Sequence, residues 1–122
     1  MERGGIKLSS YRRGSIWLIN FEPQVGTEIK KTRPGVIISN SKFNRVRSKV
    51  TVLPITNFES LRKNKSARVV VEASAGNGLN KKSEIITIEP ATFDKKRLIQ
   101  FFGNLETDLL ESATKKLVLY LS

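Results

Sequence analysis

Apolar positions in this chain come in short runs broken by glycine, proline and clustered charge, a rhythm of strands more than of helices. From Ser15 the run SIWLINFE has strand composition, with Ile16 and Leu18 on one face and Trp17, Ile19 and Phe21 on the other. Both faces are apolar, so this strand needs cover on both sides or a place in a closed barrel. Pro23 cannot donate to a ladder and ends it. A polar stretch over 25–35 leads into a second strand, Val36–Ser39. Lys49–Thr56 alternates, with Val50, Val52 and Pro54 opposite Thr51, Leu53 and Ile55, and its proline predicts a bulge or an edge. Arg68–Glu72 is a short valine-rich strand. Glu84–Glu89 is the last clear one, closed by Pro90.

Between these runs the pattern loosens. Met1–Ser10 reads as a loose lead-in carrying Gly4-Gly5, without the apolar segment of a secretory signal. Ser41–Ser48 is open between a helical turn and a loop, Phe58–Ala67 is a charged loop, and Ala73–Lys82 is a turn region around Gly76-Asn77-Gly78. Asp94 is placed to cap a short helix, Lys95–Phe102, with Gly103 as its C′ residue. Leu109, Leu110, Ala113, Leu117, Tyr120 and Leu121 then recur at helical spacing, with Glu106, Asp108 and Glu111 early and Lys115 and Lys116 late, as the helix dipole prefers. The expected fold is mainly β with α, one domain over 1–122. It is a small SH3-like barrel or strongly bent sheet of about five to seven strands with a C-terminal helix.

Composition narrows the chemistry. The 122 residues include neither cysteine nor histidine, which removes disulfides, thiolate chemistry and the usual zinc sites, and leaves catalysis near neutral pH without imidazole. No metal or cofactor is expected. Lys and Arg number 22 against 11 Asp and Glu, a net charge of +11. That excess favours a polyanionic partner through steering and counterion release. The longest apolar runs are far short of a membrane span, so a soluble cytoplasmic protein is the expectation.

The stretch with most chemistry is Val25–Asn40, VGTEIKKTRPGVIISN, a charged loop at the mouth of a buried strand. It belongs to an ordered series: Gly14-Ser15-Ile16-Trp17, Pro23, Gly26-Thr27-Glu28, Arg33-Pro34, Val36-Ile37, Pro54-Ile55-Thr56, Thr92-Phe93-Asp94-Lys95-Lys96-Arg97-Leu98 and Gly103-Asn104-Leu105. In that order the motifs resemble the MazF/PemK family of toxin endoribonucleases, from about Tyr11 to the end. The resemblance implies a CcdB/MazF-like barrel working as a homodimer. It also implies metal-free, sequence-specific cleavage of single-stranded RNA and inhibition by a cognate antitoxin. Its catalytic pair falls on Arg33 and Thr56, with Glu28 implicated beside them. One departure is plain. Where many relatives carry D/E-Q-I-R before T-I-D-K, this chain reads Ile88-Glu89-Pro90-Ala91, without the arginine.

Metal-free cleavage uses the ribose 2′-hydroxyl as nucleophile. It needs a proton acceptor there, charge stabilisation on the phosphorane and help for the leaving 5′-oxygen. Arg33 suits the second role as a planar, permanently charged fork. As a base it would first have to give up a proton that a guanidinium holds far above neutral pH, a loss costing several kcal/mol at pH 7. The acceptor is therefore Glu28 or the phosphate itself. Thr56 Oγ1 can hold a phosphate oxygen, worth about 1 kcal/mol. Candidate RNA-binding groups are Lys30, Lys31, Lys42, Arg45 and Arg47, and the basic loop Arg62, Lys63 and Lys65 beside Phe58. Plainer readings stand beside these: Glu28 pairing with Lys30, Lys31 or Arg33; Thr56 ending a strand on backbone; Trp17 as core. On the same scaffold the alternative function is non-catalytic, a gyrase-directed CcdB-like toxin or an inactive RNA-binding relative.

Overall fold

The computed structural model describes residues 11–21, 31–61 and 65–122. Seven strands and two helices follow in the order β1 Ser15–Asn20, β2 Thr32–Ile37, α1 Ser41–Val46, β3 Lys49–Asn57, β4 Arg68–Val71, β5 Ser83–Ile86, β6 Ala91–Asp94, β7 Leu98–Asn104 and α2 Thr107–Leu121. The strands form one antiparallel sheet ordered β4-β5-β3-β2-β1-β7, with β6 also on β3.

The apolar character of both faces of β1 is answered by two cores. Ile16 joins Val36, Leu53, Ile55, Val71 and Ile85 beneath the buried stripe Leu110, Ala113 and Leu117 of α2. Trp17 and Ile19 join Ile37, Val50, Val52 and Leu98 on the other face, with Tyr11, Phe21 and Phe93 packed against them. Trp17 is only 1% exposed, stacks on Tyr11 at 5.0 Å and donates its Nε1–H to Ser15 Oγ at 3.1 Å. It is core, as its plainer reading had it.

β3 holds the sheet together by changing partners. Its first half, Lys49–Val52, pairs with β6 and its last residues, Ile55–Asn57, with β5. The Thr51 carbonyl accepts from Ile38 N–H on the β2 side, whereas Phe58 N–H donates to Lys82 O on the β5 side. By alternation the Pro54 nitrogen also faces away from β2, into the gap between β6 and β5. Its missing donor therefore costs no ladder bond. Pro54 marks neither an outer edge nor a bulge but this exchange of partners.

Three expectations are corrected. Arg33-Pro34-Gly35 is not loop: β2 begins at Thr32, and Arg33 and Pro34 pair with Ile19 and Leu18. Glu84–Glu89 stops early as a strand, because Thr87 turns away with its N–H and Oγ1 both donating to Ala67 O at 2.9 and 2.8 Å. The helix over Lys95–Phe102 is a single 3-10 turn, Lys95–Arg97, followed by β7. Asp94 does cap, accepting Lys96 N–H at 2.9 Å, but the second edge of β1 then takes the chain as a strand. Tertiary pairing overrides a short local preference here. Ser41–Ser48, left open above, contains α1, capped by Asn40 Oδ1 on Lys42 N–H at 2.8 Å.

The far ends of the bent sheet meet through the 74–78 turn, where Asn104 N–H donates to Gly76 O at 2.9 Å. Backbones touch there. A Cβ on Gly103 would lie 2.3 Å from Gly76 O, and one on Gly78 (φ 74°) would lie 2.1 Å from Phe102 O. Asn77 is fully buried between them, accepting from Ser74 and Leu79 N–H and donating to Glu72 O. Gly78→Ala should therefore destabilise by about 2 kcal/mol or more, combining left-handed strain with a backbone clash. A fall in the urea midpoint measures it. Gly76→Ala, whose Cβ meets only Ser74 Oγ at 3.9 Å, should stay within about 0.5 kcal/mol of the parent.

Candidate active site

The last pair on the β2–β3 ladder is Gly35 with Pro54. Beyond it the two strands go to different neighbours, β2 continuing along β1 to Thr32 and β3 along β5 to Asn57. Pro34 reinforces the break. Lys31 and Ile37 aim their carbonyls at the β1 side, accepting from Phe21 and Gly14, so the even-numbered Pro34 aims its nitrogen at β3 and has no hydrogen to give. Between the parting strands opens a groove of about 550 Å³, with Thr32, Arg33 and Pro34 on one side and Ile55, Thr56 and Asn57 on the other. Leu18, Ser83, Phe102 and the segment Gly78–Lys81 complete its lining.

Both members of the expected catalytic pair thus lie at this mouth. Extending the register from Gly35 opposite Pro54 by two positions sets Arg33 opposite Thr56. Arg33 is half-buried, with its guanidinium carbon 5.7 Å from the Phe21 ring centroid, a cation–π contact that leaves the fork charged. Thr56 is also half-buried and pairs with Glu84 of β5. Glu84 is 2% exposed; its Oε1 lies 3.3 Å from Arg68 Nη1 and its Oε2 accepts Glu59 N–H at 3.4 Å. A buried ion pair therefore supports the end of β3 that carries Thr56.

Other candidates are scattered. Lys31 is exposed just before β2. Phe58 is half-buried, with Lys82 Nζ 4.2 Å and Lys65 Nζ 5.7 Å from its ring centroid, so its ring already carries two ammonium contacts. Lys65 also donates to Ser60 O at 2.8 Å. Lys42, Arg45 and Arg47 are exposed on and after α1. That helix follows the opposite end of β2, at least about 13 Å along the strand from Arg33 at 3.3 Å per residue. The structure does not bring these three to the groove. Glu28, Lys30, Arg62 and Lys63 lie outside the described residues. The Ile88-Glu89-Pro90-Ala91 departure falls at the turn into β6, beside the first half of β3, and does not line the groove.

Asn57, Asn80 and Lys81 line the groove and were not singled out from the sequence. Gly76-Asn77-Gly78 announces a tight turn, but nothing local tells that the residues after it line the same groove as Arg33. The Glu84–Arg68 pair gives a direct check. Glu84→Ala leaves Arg68 largely buried without its carboxylate and frees the 57–60 segment, so it should cost about 3 kcal/mol in chemical denaturation. Arg68→Met with Glu84→Leu should recover much of that loss, since an apolar pair of similar volume removes the orphaned charge.

Comparison with known proteins identifies the fold and the family. The model of PemK-like, MazF-like toxins of type II toxin–antitoxin systems matches residues 12–121. Endoribonuclease PemK of Escherichia coli is 31% identical over 88 residues, covering 72% of this chain and 64% of PemK. Endoribonuclease MazF9 of Mycobacterium tuberculosis is 37% identical over 51 residues, 38% of this chain and 43% of its own length. The chain thus spans about two thirds or less of the length of these relatives. Among solved structures, MazF from Deinococcus radiodurans superposes with a TM-score of 0.72 at 22% identity, over 90% of this chain and 94% of that one. A mycobacterial endoribonuclease in complex with its cognate antitoxin gives 0.69 at 18%, over 90% and 93%. With a family match running almost end to end, the chain belongs to the PemK-like, MazF-like toxins of type II toxin–antitoxin systems.

Proposed function

We propose that this toxin is a sequence-specific endoribonuclease that cuts single-stranded RNA without a metal ion. The observation that carries the proposal is the position of Arg33 and Thr56 on the two strands that part at the groove. In the proposed step the 2′-oxygen attacks phosphorus while the P–O5′ bond breaks, leaving a 2′,3′-cyclic phosphate and a 5′-hydroxyl. The proton of the 2′-hydroxyl passes to Glu28 or to a phosphate oxygen and ends on the 5′-oxygen. Arg33 keeps its own proton and grips the phosphorane oxygens, where a charged, preoriented donor acts most strongly. Thr56 Oγ1 holds one further oxygen. The named relatives are endoribonucleases, and the net charge of +11 suits a polyanionic substrate.

The working form is a homodimer in the cytoplasm, held inactive by a cognate antitoxin. Ile99 and Phe101 of β7 and Val118–Leu121 at the end of α2 are exposed apolar side chains, material for such contacts. Solved relatives include a toxin with its cognate antitoxin. No described helix is long and apolar enough to cross a membrane. Light scattering should give twice the 13.7 kDa chain mass.

The deciding assay incubates the protein with a long single-stranded RNA in EDTA. Cuts at discrete sites with 5′-hydroxyl ends are expected. Arg33→Ala should lower kcat about 100-fold or more, as loss of one transition-state donor does. Thr56→Ala should lower it about fivefold to tenfold, matching one neutral hydrogen bond. Intact RNA under every condition defeats the proposal. A gel shift with no cleavage supports the non-catalytic RNA-binding reading instead.

A further inference from the structure

A further part of the groove's lining, Gly78–Lys81, comes from the chain between β4 and β5 and is anchored at both ends. Leu79 is buried in the main core, 8% exposed, and its N–H donates to Asn77 Oδ1 at 3.0 Å. Gly78 lies flush on Phe102, and its N–H donates to Ser74 O at 3.0 Å. On the far side, Ser83 Oγ donates to Lys81 O at 2.9 Å and Phe58 N–H to Lys82 O at 3.1 Å. Asn80 and Lys81 are therefore spanned between two anchored points. Both are exposed, and both line the groove. Their neighbour Lys82 is engaged elsewhere, with Glu72 at 3.6 Å and the Phe58 ring.

Such an arrangement differs from a solvated lysine on a loose loop. The backbone entropy of the segment has been lost on folding, so a ligand meeting these two side chains orders little besides their own rotamers. The chemistry of the two groups is complementary. An ammonium is a point charge with no geometric demand on its anion. A carboxamide carries donors and an acceptor together, the pairing that a splayed base edge presents.

We infer that Asn80 and Lys81 are the second wall of the RNA site, Lys81 holding a phosphate next to the one gripped by Arg33 and Asn80 reading the edge of an unstacked base. This rests on the RNA-directed reading above, but on binding alone and not on cleavage. Affinity then comes from both walls, whereas sequence choice comes from the wall opposite the chemistry. Asn57, on the Thr56 side of the groove, closes the space in which that base sits.

The test uses the intact chain and uncleavable 2′-O-methyl strands of oligo-A, -C, -G and -U, with affinity read by fluorescence anisotropy over a salt series. Lys81→Gln should make the slope of log K against log salt shallower by about 0.7, one phosphate contact on a single strand. Lys96→Gln, which removes the same charge in the 3-10 turn at the other end of β3, should leave the slope unchanged. Asn80→Ala should narrow the spread of affinities among the four strands about tenfold with little effect on the slope. Melting curves check that each variant is folded. Equal slopes for Lys81→Gln and the parent, or an equal loss in Lys96→Gln, overturn the phosphate assignment. An unchanged spread in Asn80→Ala overturns the base-reading assignment. If the parent binds and Lys81 matters but no RNA is cut, the nuclease reading fails and this one stands. If the parent binds no strand, both fall.

Discussion

Everything at the candidate site depends on the β2–β3 ladder stopping at Gly35 and Pro54. Two prolines sit at the point of parting: Pro34 aims its donorless nitrogen toward β3, where a hydrogen bond would otherwise carry the ladder on, and Pro54 aims its own away from β2, into the gap between β6 and β5, where no ladder bond is lost. An unpaired N–H at either place would want a partner, and the cheapest partner is the neighbouring strand. With no hydrogen to place, β2 stays on β1 while β3 moves over to β5. The groove is the space left between them. The mouth is thus a consequence of backbone hydrogen-bond bookkeeping, and its width is set by rigid strands.

The same constraint explains which cations gather and which do not. Arg33 belongs to the mouth because it directly precedes Pro34; Lys81 belongs because β5 must return to the far half of β3. Lys42, Arg45 and Arg47 follow the other end of β2, and no bend in a paired strand brings them back. A net charge of +11 therefore acts in two ways. For the polyanion of the proposed function, its total would steer from a distance, with strength that falls as salt rises, and only the few charges at the parting strands would act at contact. Counting lysines along the sequence measures the first effect and is blind to the second.

Legibility followed the range of the interactions involved. β1 was legible because its two apolar faces demand two covers whatever the topology, and it received them from the Ile16 and Trp17 clusters. The terminal helix was legible from its buried stripe Leu110, Ala113 and Leu117, although the pattern ran on through Tyr120 and Leu121, which stay exposed. The segment Lys95–Phe102 misled because its local signals were genuine: Asp94 does cap a turn. What the sequence does not display is the open edge of β1 that claims Leu98–Asn104 as β7, nor that Gly103 is needed for contact with Gly76 and not as a helix stop. Arg33 and Thr56 were found through motif order, since no local rule sets a residue of β2 against one of β3. Asn80 and Lys81 escaped for the same reason, with no motif to mark them.

Without histidine the proposed reaction lacks the side chain that most readily moves a proton near neutral pH, so more of the rate has to come from fixed charge and position. Position is what strands supply better than loops. Arg33 is held by its pairing with Ile19 and by the Phe21 ring, and Thr56 by its pairing with Glu84, whose own carboxylate is buried against Arg68. Each group at the mouth is thereby tied to a different neighbour in the sheet, and neither needs the substrate to order it. The cost of organising the site is met once, during folding, by the same cores that stabilise the sheet. In the proposed reaction that separation would leave the Gly78–Lys81 segment free to change without disturbing the strands that carry Arg33 and Thr56.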